Sequence, residues 1–179
     1  MQNPPVMNSN IVLIGMMGCG KTTVGEIISE IGGLSFVDTD TLIESRVQMT
    51  VPQIFEKHGE PYFRALETEA AKQAGSHTNA VIATGGGMIL SADNMKHLRG
   101  FVVYLRCEAW QLYERVGDDP NRPLLSGTFN KNFLENMLAT REPLYKLYSN
   151  FIINAGEHKA DELAKIILKE HALDKQRLE

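Results

Sequence analysis

The stretch Asn10-Ile11-Val12-Leu13-Ile14-Gly15-Met16-Met17-Gly18-Cys19-Gly20-Lys21-Thr22 decides how this chain folds. It opens as a short apolar run without polar alternation, the pattern of a strand buried on both faces. It closes on Gly15–Thr22, which matches G-x-x-x-x-G-K-[ST]; for a chain of this composition a chance match is roughly one in 150. Lys21–Ile31 then places Val24, Ile27, Ile28 and Ile31 at spacings of three and four, and Gly32-Gly33 stops the pattern, so a helix follows. In such a strand–loop–helix unit the glycines let backbone N–H groups wrap phosphates, and the helix N-terminus adds partial positive charge. Lys21 reaches the β- and γ-phosphates, and the Thr22 hydroxyl ligates Mg2+. A nucleoside triphosphate site built from Gly18, Cys19, Gly20, Lys21, Thr22 and Thr23 is the expectation. Cys19 serves that site through its backbone.

Outward from this unit, Leu34–Val37, Val81–Ala83, Phe101–Leu105 and Phe151–Ile153 read as further strands. Helical patterns separate them at Pro52–His58, Tyr62–Ala74, Asp93–Leu98 (with Ser91 as cap), Glu108–Val116, Phe133–Tyr148 and Ala160–His171. Alternation of this kind implies an α/β fold, three layers deep, with a five-stranded parallel sheet covered on both faces. The 179 residues suit a single domain, with residues 1–9 a loose, flexible arm and 173–179 a frayed tail. Two regions break the rhythm. Residues 41–79 hold more helix than one crossover needs. Residues 117–130 are polar, with two prolines and two glycines, and read either as a surface loop or as a lid.

Composition narrows the chemistry. Apolar residues make up 43% and the net charge is -4 with a pI near 5.8, which gives no electrostatic footprint for nucleic acid or an anionic membrane. The first cation is Lys21, after the apolar run rather than before it, so a secretory signal is not expected. Two cysteines fit a reducing, cytoplasmic setting. No N-K-x-D sequence reads guanine, and no apolar strand ends in Asp-Glu as in motor ATPases.

The remaining chemistry clusters at strand ends. Ala80–Thr84 runs into Gly85-Gly86-Gly87, at the carboxyl edge where open α/β sheets bind ligands. Asp38 and Asp40 follow the second strand, one placed to orient a Mg2+ water and the other to hold an acceptor hydroxyl. Arg64 and Glu67 stand at i and i+3, either as a solvated pair or as a guanidinium held by its carboxylate and aimed at an anion. Arg141, in Thr140–Tyr145, reads on its own as a solvated helix residue.

Taken together, Gly15–Thr22, Asp38-Thr39-Asp40, Phe63–Glu67, Gly85–Gly87, Arg122-Pro123-Leu124-Leu125 and Arg141-Glu142-Pro143-Leu144-Tyr145 resemble the shikimate kinases, P-loop enzymes of the nucleoside monophosphate kinase-like group. The six stretches come in family order over about residues 10–155. The resemblance implies transfer of the ATP γ-phosphoryl to the 3-hydroxyl of shikimate, with Mg2+. It implies Asp40 on the ring hydroxyls, as base or as positioning group, and Lys21 and Arg122 on the phosphates. Arg64 and Arg141 would bind the substrate carboxylate, Glu67 would orient Arg64, and Gly85, Gly86 and Gly87 would complete the pocket. Thr22 would ligate Mg2+ directly and Asp38 through water. Arg115 would pack on adenine, 117–130 would be the lid, and 41–79 the shikimate-binding insert. A monomer with no nucleic-acid or membrane partner is expected. Relatives often place a proline against adenine where this chain reads Asn154-Ala155-Gly156-Glu157, so the adenine wall is unassigned. Alternatives are another small-metabolite kinase, such as a gluconate kinase, or a non-catalytic nucleotide-binding switch.

Overall fold

The computed structural model describes residues 10–116 and 130–178. Five strands, β1 (Ile11–Ile14), β2 (Ser35–Asp38), β3 (Ala80–Ala83), β4 (Phe101–Arg106) and β5 (Phe151–Asn154), form one sheet in the order β2-β3-β1-β4-β5. Every pairing is parallel, with Ile11 opposite both Val81 and Phe101 across the centre. The helices flank it: α1 (Lys21–Gly32), α2 (Thr39–Val47), α3 (Val51–Gly75), α4 (Ala92–His97), α5 (Ala109–Val116), α6 (Lys131–Tyr148) and α7 (Ala160–Leu178).

The apolar run at the start of the sequence explains the centre. Ile11, Val12, Leu13 and Ile14 are fully buried, each side chain contributing about 1.5–3 kcal/mol by removal from water. The Asn10 side chain registers the strand by accepting from Ala80 N–H at 2.9 Å and donating to the His77 carbonyl at 2.8 Å. Because β3 and β4 lie on opposite sides of β1, the chain order reverses there. The crevice at the carboxyl ends is the general ligand position of such sheets.

A second, smaller apolar cluster of Ile43, Ile54, Phe63 and Ala70 joins α2 to α3. The two helices expected at 52–58 and 62–74 form α3, broken at Gly59, whose φ of 78° and ψ of 175° are not helical. Pro61, two residues on, stands in the first turn after the break, where its missing N–H costs little. Thr50 caps α3 in a capping box with Gln53, as its side chain accepts from Gln53 N–H and the Gln53 side chain accepts from Thr50 N–H.

Some boundaries differ from the sequence reading. The second strand begins one residue later, at Ser35, and reaches Asp38. Helix α2 was not expected; the Asp38 side chain starts it by accepting from the N–H groups of Asp40 and Thr41 at 2.9 and 3.3 Å. The tail expected to fray from 173 continues as helix through Leu178. Asp161 and Glu162 in the first turn and Lys175 and Arg177 in the last complement the helix dipole, and His171 is buried with its ring 5.7 Å from that of Phe101. The loop 117–130 lies outside the described residues, apart from Asn130, whose side chain caps α6 by accepting from Phe133 N–H at 2.9 Å.

Candidate active site

At the end of β1 the chain turns through the phosphate loop, and α1 begins at Lys21 after Gly20. Gly20 has no side chain to cap the helix and the first turn holds no acid, so the N-terminal N–H groups are left for an anion. Lys21 is buried and folds over the loop, its ammonium donating to the carbonyls of Gly15 at 2.9 Å and Met16 at 2.8 Å. It also reaches the Cys19 sulfur at 3.6 Å. Cys19 is 1% exposed, so its side chain is a packing element of the loop. Thr22 and Thr23 stand exposed on the first turn. The Thr22 hydroxyl donates to Asp38 Oδ2 at 2.8 Å, while Asp38 Oδ1 is engaged in capping α2. One carboxylate thereby joins the phosphate loop to the helix that carries Asp40.

Arg115, on α5, leans over the same loop. It donates to the carbonyls of Gly18 at 3.5 Å and Ala155 at 3.3 Å, and to the Cys107 sulfur at 3.6 Å. It thus bridges the phosphate loop and the turn after β5, the segment whose sequence left the adenine side unassigned. That turn is fixed by Asn154, whose side chain donates to Glu157 at 2.6 Å and accepts from Gly156 N–H at 3.2 Å. Arg122 lies outside the described residues.

A cavity of about 460 Å³ opens beside the loop, from Met17 across to α2, α3 and α6. It brings together Asp40, Arg64, Glu67, Gly85–Gly87 and Arg141, which span a hundred residues of sequence. Phe55 and Phe63, 4.6 Å apart, give it an apolar wall. Asp40 is half-buried, and its Oδ1 is enclosed without a hydrogen-bond partner among the described residues. Burial first, then repulsion from Asp38, pushes its pKa up to about 6; Glu67 and Glu44 add to the rise and Lys21 opposes it.

Arg64 donates through Nη1 to Glu67 at 2.5 Å, and Glu67 is itself almost wholly buried. Burial raises the Glu67 pKa, although Arg64 pulls it down. For Arg64, burial works against the charge, but hydrogen bonds to Glu67 and Glu60 outweigh it and raise the pKa. Glu67 Oε1, like Asp40 Oδ1, has no hydrogen-bond partner among the described residues, and both flank Gly85. A Cβ on Gly85 would sit 2.6 Å from Asp40 Oδ1, and one on Gly87 would run into the Arg64 guanidinium. The glycines therefore let two charged groups close on bare backbone.

Some contributors escaped the sequence reading. Thr39, buried beneath Asp40, accepts from Gly85 N–H at 2.9 Å and fixes the glycine run. Tyr145 donates its hydroxyl to the Gly86 carbonyl at 2.7 Å, beside a longer bond from Arg141 Nη1 at 3.4 Å. Its ring stacks on Tyr104 of β4 at 4.8 Å. Glu142 pins α6 to the sheet through Arg106 at 3.0 Å. Anchored at Glu142 and Tyr145, this stretch of α6 presents Arg141 to the cavity.

The comparisons agree with this geometry. The family model described as shikimate kinase matches residues 17–172. The shikimate kinase of Methylococcus capsulatus is 40% identical over 171 residues, covering 94% of this chain and 96% of the relative. A solved shikimate kinase from Acinetobacter baumannii, in complex with shikimate, superposes with a TM-score of 0.89 at 40% identity, covering 95% of this chain and 96% of that one. A gluconokinase from Sinorhizobium meliloti reaches a TM-score of 0.57 at 19% identity, a likeness of fold alone. A phosphate loop, an arginine-lined cavity beside it and this level of identity over nearly the full chain lead to one statement: the chain belongs to the shikimate kinase family.

Proposed function

We infer that this protein transfers the γ-phosphoryl group of ATP to the 3-hydroxyl of shikimate. The observation that carries the reading is the meeting of the two sites at Gly86. Its Cα side faces the phosphate loop so closely that a Cβ would lie 3.3 Å from Met17 N, while its carbonyl accepts from buried Tyr145 and, at 3.4 Å, from Arg141 of the cavity wall. A phosphoryl group on the loop and an acceptor in the cavity would therefore be neighbours, which is the main requirement of this chemistry.

In this reading the N–H groups of Gly18 to Thr23 cradle the phosphates, and Lys21 exchanges the loop carbonyls for phosphate oxygens. Thr22 and Asp38, two hard oxygen donors 2.8 Å apart, fit Mg2+, with Thr22 binding directly and Asp38 through water. Bound there, the ion would neutralise phosphate charge. Arg64 and Arg141 take the acceptor carboxylate, and Asp40 Oδ1 accepts a hydrogen bond from the 3-hydroxyl. As the new O–P bond forms and ADP leaves, the hydroxyl proton passes to Asp40, whose raised pKa suits it to hold one. Arg115 packs on adenine, and Arg122 closes with the 117–130 lid onto the phosphates. Helices α2 and α3, with their own apolar cluster, act as the acceptor-binding insert. Among the described residues no helix is long and apolar enough to cross a membrane. We place the protein in the cytoplasm as a monomer acting on small molecules, without nucleic-acid or membrane partners.

ADP release from Mg·ATP, measured by a coupled assay with shikimate, gluconate or no acceptor, tests this directly. Turnover with shikimate alone is expected; equal rates in all three would sink the assignment.

A further inference from the structure

Arg64 enters the cavity with both edges of its guanidinium already bound. Nη1 donates to Glu67, whose side chain is 1% exposed. Nε and Nη2 both donate to a single oxygen of Glu60, at 3.1 and 2.7 Å, and the Glu60 side chain is 61% exposed. The two carboxylates are therefore unequal. Glu67 is locked in the protein, whereas Glu60 stands in water immediately after the non-helical Gly59. The edge that Glu60 occupies is the two-donor fork best shaped for a carboxylate.

The charges around the cavity sharpen the point. Asp40, Glu44, Glu60 and Glu67 line it against Arg64 and Arg141, four carboxylates against two guanidiniums. An anionic acceptor meets an excess of like charge unless one carboxylate withdraws. Asp40 Oδ1 and Glu67 Oε1 are enclosed, and Glu44 accepts from Val51 N–H at 2.8 Å. Among the described residues, Glu60 alone of the four has both an exposed side chain and no hydrogen bond other than those to Arg64.

We propose that Glu60 is a displaceable internal carboxylate, which occupies the Nε/Nη2 edge of Arg64 until the carboxylate of the acceptor takes its place, and which thereby sets the affinity of the pocket for anionic acceptors. This rests on the acceptor reading given above. Glu60 keeps the arginine extended toward the cavity, and swings into water when the acceptor arrives. Because an exposed ion pair is weak, the effect of the competition is modest, about two- to fivefold in affinity.

Calorimetric titration of wild type, Glu60→Gln and Glu60→Asp tests it, with three probes: shikimate, its uncharged methyl ester, and cyclohex-1-ene-1-carboxylate, which keeps the ring carboxylate and lacks every hydroxyl. Glu60→Gln should tighten both carboxylates about two- to fivefold and lower the KM for shikimate likewise, leaving the ester unchanged. Glu60→Asp, which keeps the charge, should stay near wild type. Weaker or unaltered binding of both carboxylates by Glu60→Gln would overturn the proposal, since Glu60 would then be a strut or a bystander. An equal gain for the ester would overturn it too. Tighter ring-carboxylate binding in a protein that fails to phosphorylate shikimate would uphold Glu60 and refute the shikimate reading instead.

Discussion

The phosphate loop and the proposed acceptor pocket adjoin at Gly86 but are made of different material. The loop is eight consecutive residues whose ligand groups are mostly backbone N–H, and its one charged side chain, Lys21, is satisfied by the loop's own carbonyls. The pocket gathers side chains from α2, α3 and α6 around a bare glycine run. Its charges are only partly matched: Arg64 has two carboxylates, while Asp40 Oδ1 and Glu67 Oε1 have no hydrogen-bond partner among the described residues. Backbone donors survive every substitution but proline and are indifferent to pH; side-chain carboxylates are neither so robust nor so indifferent. The acceptor side should therefore carry the pH dependence and the selectivity, and the loop the bulk of the phosphate stabilisation.

The largest test of this division is Lys21→Met. It should lower kcat about 10²- to 10³-fold, the usual loss for a preorganised charge at developing transition-state charge. Shikimate affinity, read by calorimetry, should persist; its collapse would show that the two regions are one energetic unit.

Asp40→Asn should lower kcat by at least about a hundredfold. In the wild type, kcat/KM for shikimate should fall below pH about 6 as Asp40 takes up a proton, and the variant should lose that limb. Stability should move the other way. The folded pKa of about 6 lies above the ordinary 3.8, so between those values the folded state binds more protons than the unfolded chain. Stability then falls as pH rises through that window, and the penalty stays in place above it. Asp40→Asn should therefore be more stable than wild type at pH 8, by on the order of 1–2 kcal/mol. A variant that melts earlier at pH 8 would mean that Asp40 is not the site of unmatched charge.

Arg141→Ala removes a charged donor from the acceptor side only. It should raise the KM for shikimate about ten- to a hundredfold and leave ATP affinity intact. Loss of ATP binding would contradict the partition. The smallest effect belongs to Tyr145→Phe, which deletes one hydroxyl from the junction of the two regions. A stability loss of about 1 kcal/mol, seen in denaturant melts, should accompany a few-fold fall in kcat/KM. If only stability changed, Gly86 would be a packing joint rather than a positioned part of the site.

Legibility in the sequence followed the same division. The phosphate loop was readable because its function depends on local backbone shape, which eight contiguous residues specify. The strands were readable because burial on both faces leaves unbroken apolar runs. Helix α2 was not, since its sequence Thr-Asp-Thr-Leu-Ile-Glu-Ser-Arg-Val has little apolar periodicity. What starts it is Asp38 as a cap, and the sequence alone presented that residue only as a metal partner. The extension of α7 was missed because the apolar pattern fades beyond His171, while the charges that favour a helix end lie further on.

By itself, then, the sequence determined the parallel sheet, the phosphate loop at the end of β1 and the identities of the charged residues set around it. These follow from local patterns: hydrophobic periodicity, glycine and capping. Only the tertiary structure decided what those charges face. It sets Thr39 under Gly85 across 46 residues and Tyr145 on Gly86 across 59, and it leaves Asp40 Oδ1 enclosed without a hydrogen-bond partner among the described residues. Even Glu60 and Arg64, four residues apart, gain their meaning from the cavity into which the fork points. Burial and distance through space set the energy of a charge, and neither is a property of its place along the chain.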